Sequence, residues 1–135
     1  VYESRAGSGQ WLFSHLKAKP LRLSSQYPPE DFAMLLCHDV YFSLNDPKGA
    51  DALVAACKKY LTVQPGIAFF CCGKVEPELA REVNVRDFDV ALHIVFTDRA
   101  AHDVYQDHAL HNQFIAENKQ NWSKVRVFDS LVERV

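Results

Sequence analysis

What this chain lacks narrows its function first. It has no surplus of positive charge: 15 Lys+Arg stand against 17 Asp+Glu, a net charge of −2. Nothing therefore drives binding to a phosphate backbone, and no nucleic-acid partner is expected. No apolar run approaches the ~20 residues that cross a bilayer, so no membrane role is expected either. The four cysteines, Cys37, Cys57, Cys71 and Cys72, form no C-x-x-C pair, which argues against a zinc ribbon. They also lack the basic or helix-terminal setting of a redox thiol. Reduced, mostly buried thiols in a cytoplasmic protein are the expectation. Residues 1–20 lack the continuous apolar stretch of a secretory signal. There is no internal repeat and no low-complexity tract. Methionine occurs once, and Met34 marks the expected start of the folded domain unless the chain is trimmed ahead of it.

What is present suits one globular domain. The 135 residues are 48% apolar and 24% charged, an ordinary balance at a length able to bury a real core. Residues 1–33 carry Gly7, Ser8, Gly9, Ser24, Ser25, Pro28 and Pro29 without sustained periodicity. They read as an extension packing irregularly, with a short helical turn near Trp11–Leu16 and a surface His15. The domain proper spans residues 34–135. In its first strand Leu36, His38, Val40, Phe42 and Leu44 alternate with Cys37, Asp39, Tyr41 and Ser43. Asp46 caps a helix with Pro47 at its first position, and Ala50, Leu53, Val54, Cys57 and Leu61 follow at helical spacing. Pro65-Gly66 turns the chain into a strand over Ile67–Val75. Residues 76–87 form a loop with a helical turn near Glu78–Glu82. Phe88–Thr97 reads as a strand with Phe88, Val90, Leu92, Ile94 and Phe96 on one face. Asp98 caps a helix over Arg99–Tyr105, a second helix covers Ala109–Asn118, and Lys124–Leu131 closes the domain as a strand.

Strand, helix, strand, strand, helix pair, strand is the βαββαβ order of an α+β, ferredoxin-like domain with helices on one sheet face. The other face, with Asp39, Tyr41, Ser43, Ala91, His93 and Val95, is neither wet nor dry. Pairing with a second copy, sheet to sheet, is the expected way to cover it.

The chemically informative stretch places Tyr105, His108 and His111 three residues apart. On an unbroken helix such steps drift in angle, so Tyr105 and His111 share a pocket only if the helix breaks near His108. His38 sits on the more apolar strand face and should enter the same sheet–helix layer. An imidazole there can exchange a proton near neutral pH, and a phenol beside it can donate to a developing oxyanion. A histidine on an apolar strand face also serves simply as a satisfied hydrogen-bond partner of the facing helix, and Tyr105 can simply pack. Metal binding is a third reading. His108 and His111 are spaced i, i+3, with His93, His102, Asp103 and Asp107 nearby in sequence, but they lack a convincing converging set. Neither metal nor other cofactor is expected.

The order His38-Asp39-Val40-Tyr41-Phe42, Pro65-Gly66-Ile67, Phe88-Asp89, Tyr105-x-x-His108-x-x-His111-x-x-Phe114 and Val125–Asp129 resembles the stress-responsive dimeric α/β-barrel (Dabb) family over about residues 35–132. The resemblance implies a ferredoxin-like protomer whose sheet pairs with a partner's to close a barrel. The family includes the plant polyketide cyclase olivetolic acid cyclase, which performs an intramolecular aldol condensation. By that resemblance His38 matches the strand histidine, Tyr105 the pocket tyrosine and His111 the catalytic histidine. His108 matches the family's other helix histidine and, with Phe42, Phe88 and Phe114, would line a substrate pocket. Two departures stand out. Ala109 replaces the proline common after the first helix histidine, so the break is less enforced. Phe88 replaces a tyrosine, which removes a hydroxyl and argues against the same substrate.

Three functions follow as expectations. One is a homodimeric protein without assigned reaction that binds a small apolar molecule. Another is a cofactor-independent cyclase or lyase with His111 as base, Tyr105 as oxyanion donor and His38 orienting substrate. The third is a monooxygenase of the broader dimeric α/β-barrel superfamily, which the resemblance supports less well. A cavity joining His38, Tyr105 and His111 would favour the enzyme, and a filled interior the binding protein.

Overall fold

The computed structural model describes residues 34–134. The expected extension over 1–33, with its helical turn and His15, lies outside the described residues. Four strands, β1 (Leu35–Leu44), β2 (Ile67–Lys74), β3 (Val90–Phe96) and β4 (Trp122–Val132), form one sheet in the order β2-β3-β1-β4. Every neighbouring pair is antiparallel. Three helices, α1 (Ala50–Leu61), α2 (Arg99–Asp107) and α3 (Ala109–Asn118), connect them. This is the ferredoxin-like α+β arrangement that the element order implies.

Alternation builds the core. Along β1, Leu36, His38, Val40, Phe42 and Leu44 are buried while their neighbours are half-buried. β3 repeats the pattern with Val90, Leu92, Ile94 and Phe96. These side chains meet Leu53, Cys57, Tyr60 and Leu61 of α1, Tyr105 of α2 and Phe114 of α3. Each large apolar side chain so buried contributes about 1.5–3 kcal/mol from removal of its surface from water.

Local signals start the helices where the sequence places them. Asp46 accepts a hydrogen bond from the Lys48 N–H at 3.0 Å. A 3₁₀ turn over Pro47–Gly49 then leads into α1. Asp98 caps α2 by accepting from the Ala101 N–H at 2.7 Å. Gly66 carries the turn into β2 at a φ of 81°, a conformation that side chains disfavour.

Several boundaries differ from the sequence reading. No helical turn forms at Glu78–Glu82, where the chain makes only turns. α2 runs on to Asp107, and β4 starts earlier, at Trp122. Among the thiols only Cys57 is fully buried, and Cys71 is exposed. The largest difference is Phe88, which lies outside β3. Its neighbour Asp89 is committed to β1. The Asp89 N–H donates to the Phe42 carbonyl at 2.8 Å, and the Asp89 carboxylate accepts from the Leu44 N–H at 2.7 Å. Strand parity is lost there, and Phe88 packs edge-on against Tyr41 on the opposite sheet face, with centroids 4.9 Å apart.

Candidate functional site

His38 lies in the middle of β1, between Ile94 of β3 and Asp129 of β4. Residues directly paired across strands share a face, so Asp129 reaches its side. His38 Nδ1 and Asp129 Oδ1 are 2.5 Å apart, with the imidazole buried and the carboxylate 46% exposed. A carboxylate only accepts, so the proton lies on Nδ1 and Nε2 is left as the basic nitrogen. Three more rings meet His38: Phe96 at 6.3 Å, His102 at 5.1 Å and Tyr105 at 5.9 Å between centroids.

The helix break falls at His108, as the spacing requires, and without proline. His108 has extended backbone (φ −67°, ψ 138°) and is both the last cap of α2 and the first of α3. Its Nδ1 accepts from the Leu110 N–H at 3.1 Å, which satisfies one of the free donors at the start of α3. Histidine thus does the work of a polar cap. The break turns His111 back onto Tyr105, with ring centroids 4.6 Å apart. His111 Nδ1 donates to the Gln106 carbonyl at 3.1 Å, so its basic nitrogen is also Nε2. Burial holds the His111 pKa below the usual histidine value against the pull of the Gln106 carbonyl, and the neighbouring His38, His102 and His108 add to the lowering. His111 is therefore a neutral base at neutral pH. Burial, with a smaller contribution from Cys57, raises the Tyr105 phenol far above its ordinary value, so it remains a donor.

His38, Tyr105 and His111 are thus brought into one layer. Tyr105 is 1% exposed and its ring touches both histidines. Phe42 and Phe114 are neighbours in the same layer, 6.2 Å apart, but pack with Trp122 toward the start of β4. Phe88 is not brought there. It lines a recess of about 430 Å³ on the helix-free face, together with Asp39, Tyr41, Val85, Arg126 and Phe128. On that face His93 Nδ1 donates to Asp39 at 2.6 Å. A second recess of about 280 Å³ lies beside Leu44, Leu53, Asn118 and Trp122.

Two members of the His38 cluster were not singled out as its partners from sequence. In sequence Asp129 is only the end of the last strand motif, yet it faces a buried histidine across one rung. Pairing β1 with β4 in register would have found it. In sequence His102 enters only the metal reading, as a neighbour of His108 and His111, with no link to His38. Its place above His38 depends on how α2 crosses the sheet.

β4 adds an exposed apolar strip beside this layer. Val125, Val127 and Leu131 pair with Phe42, Val40 and Leu36 and so share the helix-side face. They nevertheless remain 40%, 50% and 60% exposed. The helices stop short of this edge strand, leaving an apolar strip in line with Asp129.

A family model described as Stress responsive A/B Barrel Domain matches residues 36–132. No curated protein sequence matches. Solved structures share the fold. A Dabb-family protein with a ferredoxin-like fold from Mesorhizobium loti is 20% identical, with a TM-score of 0.60 over 73% of this chain and 96% of its own. A dimeric ferredoxin-like protein of unknown function from Thermobifida fusca is 20% identical, with a TM-score of 0.62 over 74% and 92%. A hydroxynitrile lyase from Passiflora edulis is 16% identical, with a TM-score of 0.61 over 75% and 95%.

Proposed function

The chain belongs to the stress-responsive A/B barrel (Dabb) family, and from that premise we propose that it works as a homodimer binding a small, largely apolar molecule. The ligand site is the helix-side layer at the α2–α3 break and the adjoining edge of β4. There His111 and Tyr105 move a proton, in cofactor-independent chemistry of lyase or cyclase type.

The observation that carries this reading is the line Asp129, His38, Tyr105, His111. Two histidines with their tautomers set by oxygen acceptors flank one buried phenol. A neutral base and a neutral donor held together suit taking a proton from the carbon next to a carbonyl, or from the hydroxyl of a cyanohydrin as its C–CN bond breaks, the C=O bond forms and cyanide leaves. The exposed strip of Val125, Val127 and Leu131 suits an apolar ligand body. Fold likeness to a hydroxynitrile lyase adds the reaction class as a candidate, not a substrate.

A second reading has its own observation. Tyr105 is fully buried against both histidines, and so packed a layer suits a protein that binds without turnover. Two probes separate the readings: cleavage of mandelonitrile, and deuterium exchange into the methyl group of acetophenone followed by NMR. An enzyme turns over at least one of them. His111→Ala then lowers the rate about 10²–10⁴-fold, as for loss of a general base, and Tyr105→Phe lowers it with the fold kept. A rate unchanged in His111→Ala removes the acid–base assignment. No turnover, with resonances near Tyr105 still perturbed by acetophenone, leaves the binding protein. No perturbation at all removes the site.

A further inference from the structure

We propose that His38, His102 and Asp129 form a binding site for one divalent first-row transition-metal ion, of which zinc is the representative. Donor atoms of these three side chains all lie within 4.8 Å of one another. They come from β1, α2 and β4 and converge only in the fold. In a tetrahedral site with bonds of about 2.0–2.1 Å the ligand atoms stand roughly 3.3 Å apart. To reach that spacing His38 Nδ1 and Asp129 Oδ1, now 2.5 Å apart, must open slightly, and the wider separations in the trio, all within 4.8 Å, must close.

Four features favour an ion over a chance cluster. The ligand set is two imidazoles and one carboxylate, a borderline set that suits zinc, cobalt or ferrous iron better than magnesium or calcium. Both histidines are largely withdrawn from water, with side chains only 5% and 12% exposed. The outer support of His102 is in place: its Nδ1 donates to Asp103 Oδ1 at 3.1 Å, and Arg99 holds that carboxylate at 2.7 Å. A carboxylate behind a ligating histidine fixes the ring and leaves Nε2 for the ion. Asp129, with 46% of its side chain exposed, provides the entry path that a buried site requires. Gln106 Nε2, 3.2 Å from His102 Nε2, is the group an ion would displace. Likewise the ion would replace the proton between His38 Nδ1 and Asp129 Oδ1. Three protein ligands leave a fourth position open, the pattern of zinc sites that bind a further molecule.

The site shares His38 and Asp129 with the proposed pocket and would take the place of their hydrogen bond, but it leaves His111 and Tyr105 untouched and does not depend on that pocket having a substrate. The test therefore reads metal, not turnover. The untagged full chain, stripped with EDTA and dialysed, is titrated with Co(II) under visible d–d absorption and with Zn(II) by calorimetry. One ion per chain at roughly micromolar affinity is expected. His102→Ala and Asp129→Asn should each weaken binding about 100-fold or more, since even outer-shell losses cost 10–100-fold. His93→Ala, on the other sheet face, should leave binding unchanged. Circular dichroism checks each variant, and Asp129→Asn, at an exposed position, keeps the test valid if His102→Ala unfolds. Substoichiometric binding overturns the proposal. So does affinity unchanged in a folded His102→Ala or Asp129→Asn, or binding lost with His93→Ala.

Discussion

At the scale of single residues, the histidines divide by what their Nδ1 atoms meet. His38, His93 and His102 donate to carboxylates, His111 donates to a carbonyl, and His108 accepts from an amide. The first four are held in defined tautomers, and the fifth is a cap. His111 carries a pH signature. Burial lowers its pKa in the folded state, while in the unfolded chain it titrates near 6.5. Between those two values the unfolded chain binds more protons, so stability rises with pH there. The contribution is fully present above about pH 6.5 and is lost as pH falls toward the folded-state value. Thermal unfolding at pH 7.5 and 5.5 should therefore show a larger fall in Tm for the native chain than for His111→Gln. Equal falls in the two proteins would mean that His111 is not the group responsible.

At the scale of elements, the joints are more demanding than the elements. The turn at Gly66 is one. A Cβ there would lie 2.4 Å from the Ala101 Cβ at a φ of +81°, and the Gly66 carbonyl already accepts from the Thr97 N–H at 2.9 Å. Gly66→Ala combines left-handed backbone strain of about 1–2 kcal/mol with a steric clash against α2. Urea unfolding should show a loss of about 2 kcal/mol or more. A loss under about 0.5 kcal/mol would mean that α2 shifts freely. The break at His108 is the other joint. Its extended backbone ends α2 and its ring starts α3, so Ala109 does not have to enforce the turn.

At the scale of the whole molecule, the helix-free sheet face is the unresolved surface. Phe69 and Phe128 are 56% and 55% exposed there, beside the His93–Asp39 pair and the recess around Tyr41 and Phe88. A sheet covered by helices on one face only, with this much apolar surface on the other, is expected to pair with a second copy. The interface should exceed roughly 1,200 Å² in total. Phe128→Glu should then shift light scattering from dimer to monomer while far-UV circular dichroism stays native. A native chain that is monomeric at micromolar concentration removes the dimer.

Local sequence determined the alternation that buries Leu36, Val40 and Phe42, the Asp98 cap and the turn at Gly66. Each is written in residue type and spacing within a short window of the chain. The break at His108 was legible for the same reason. Tertiary structure decided three other things. It turned Phe88 to the far face, because Asp89 is claimed by the backbone of β1. It set Asp129 across from His38, because β4 pairs with β1 in that register. It laid His102 over both, because α2 crosses the sheet there. Strand register and helix placement are set by packing the whole core at once, and no short window of sequence contains that balance.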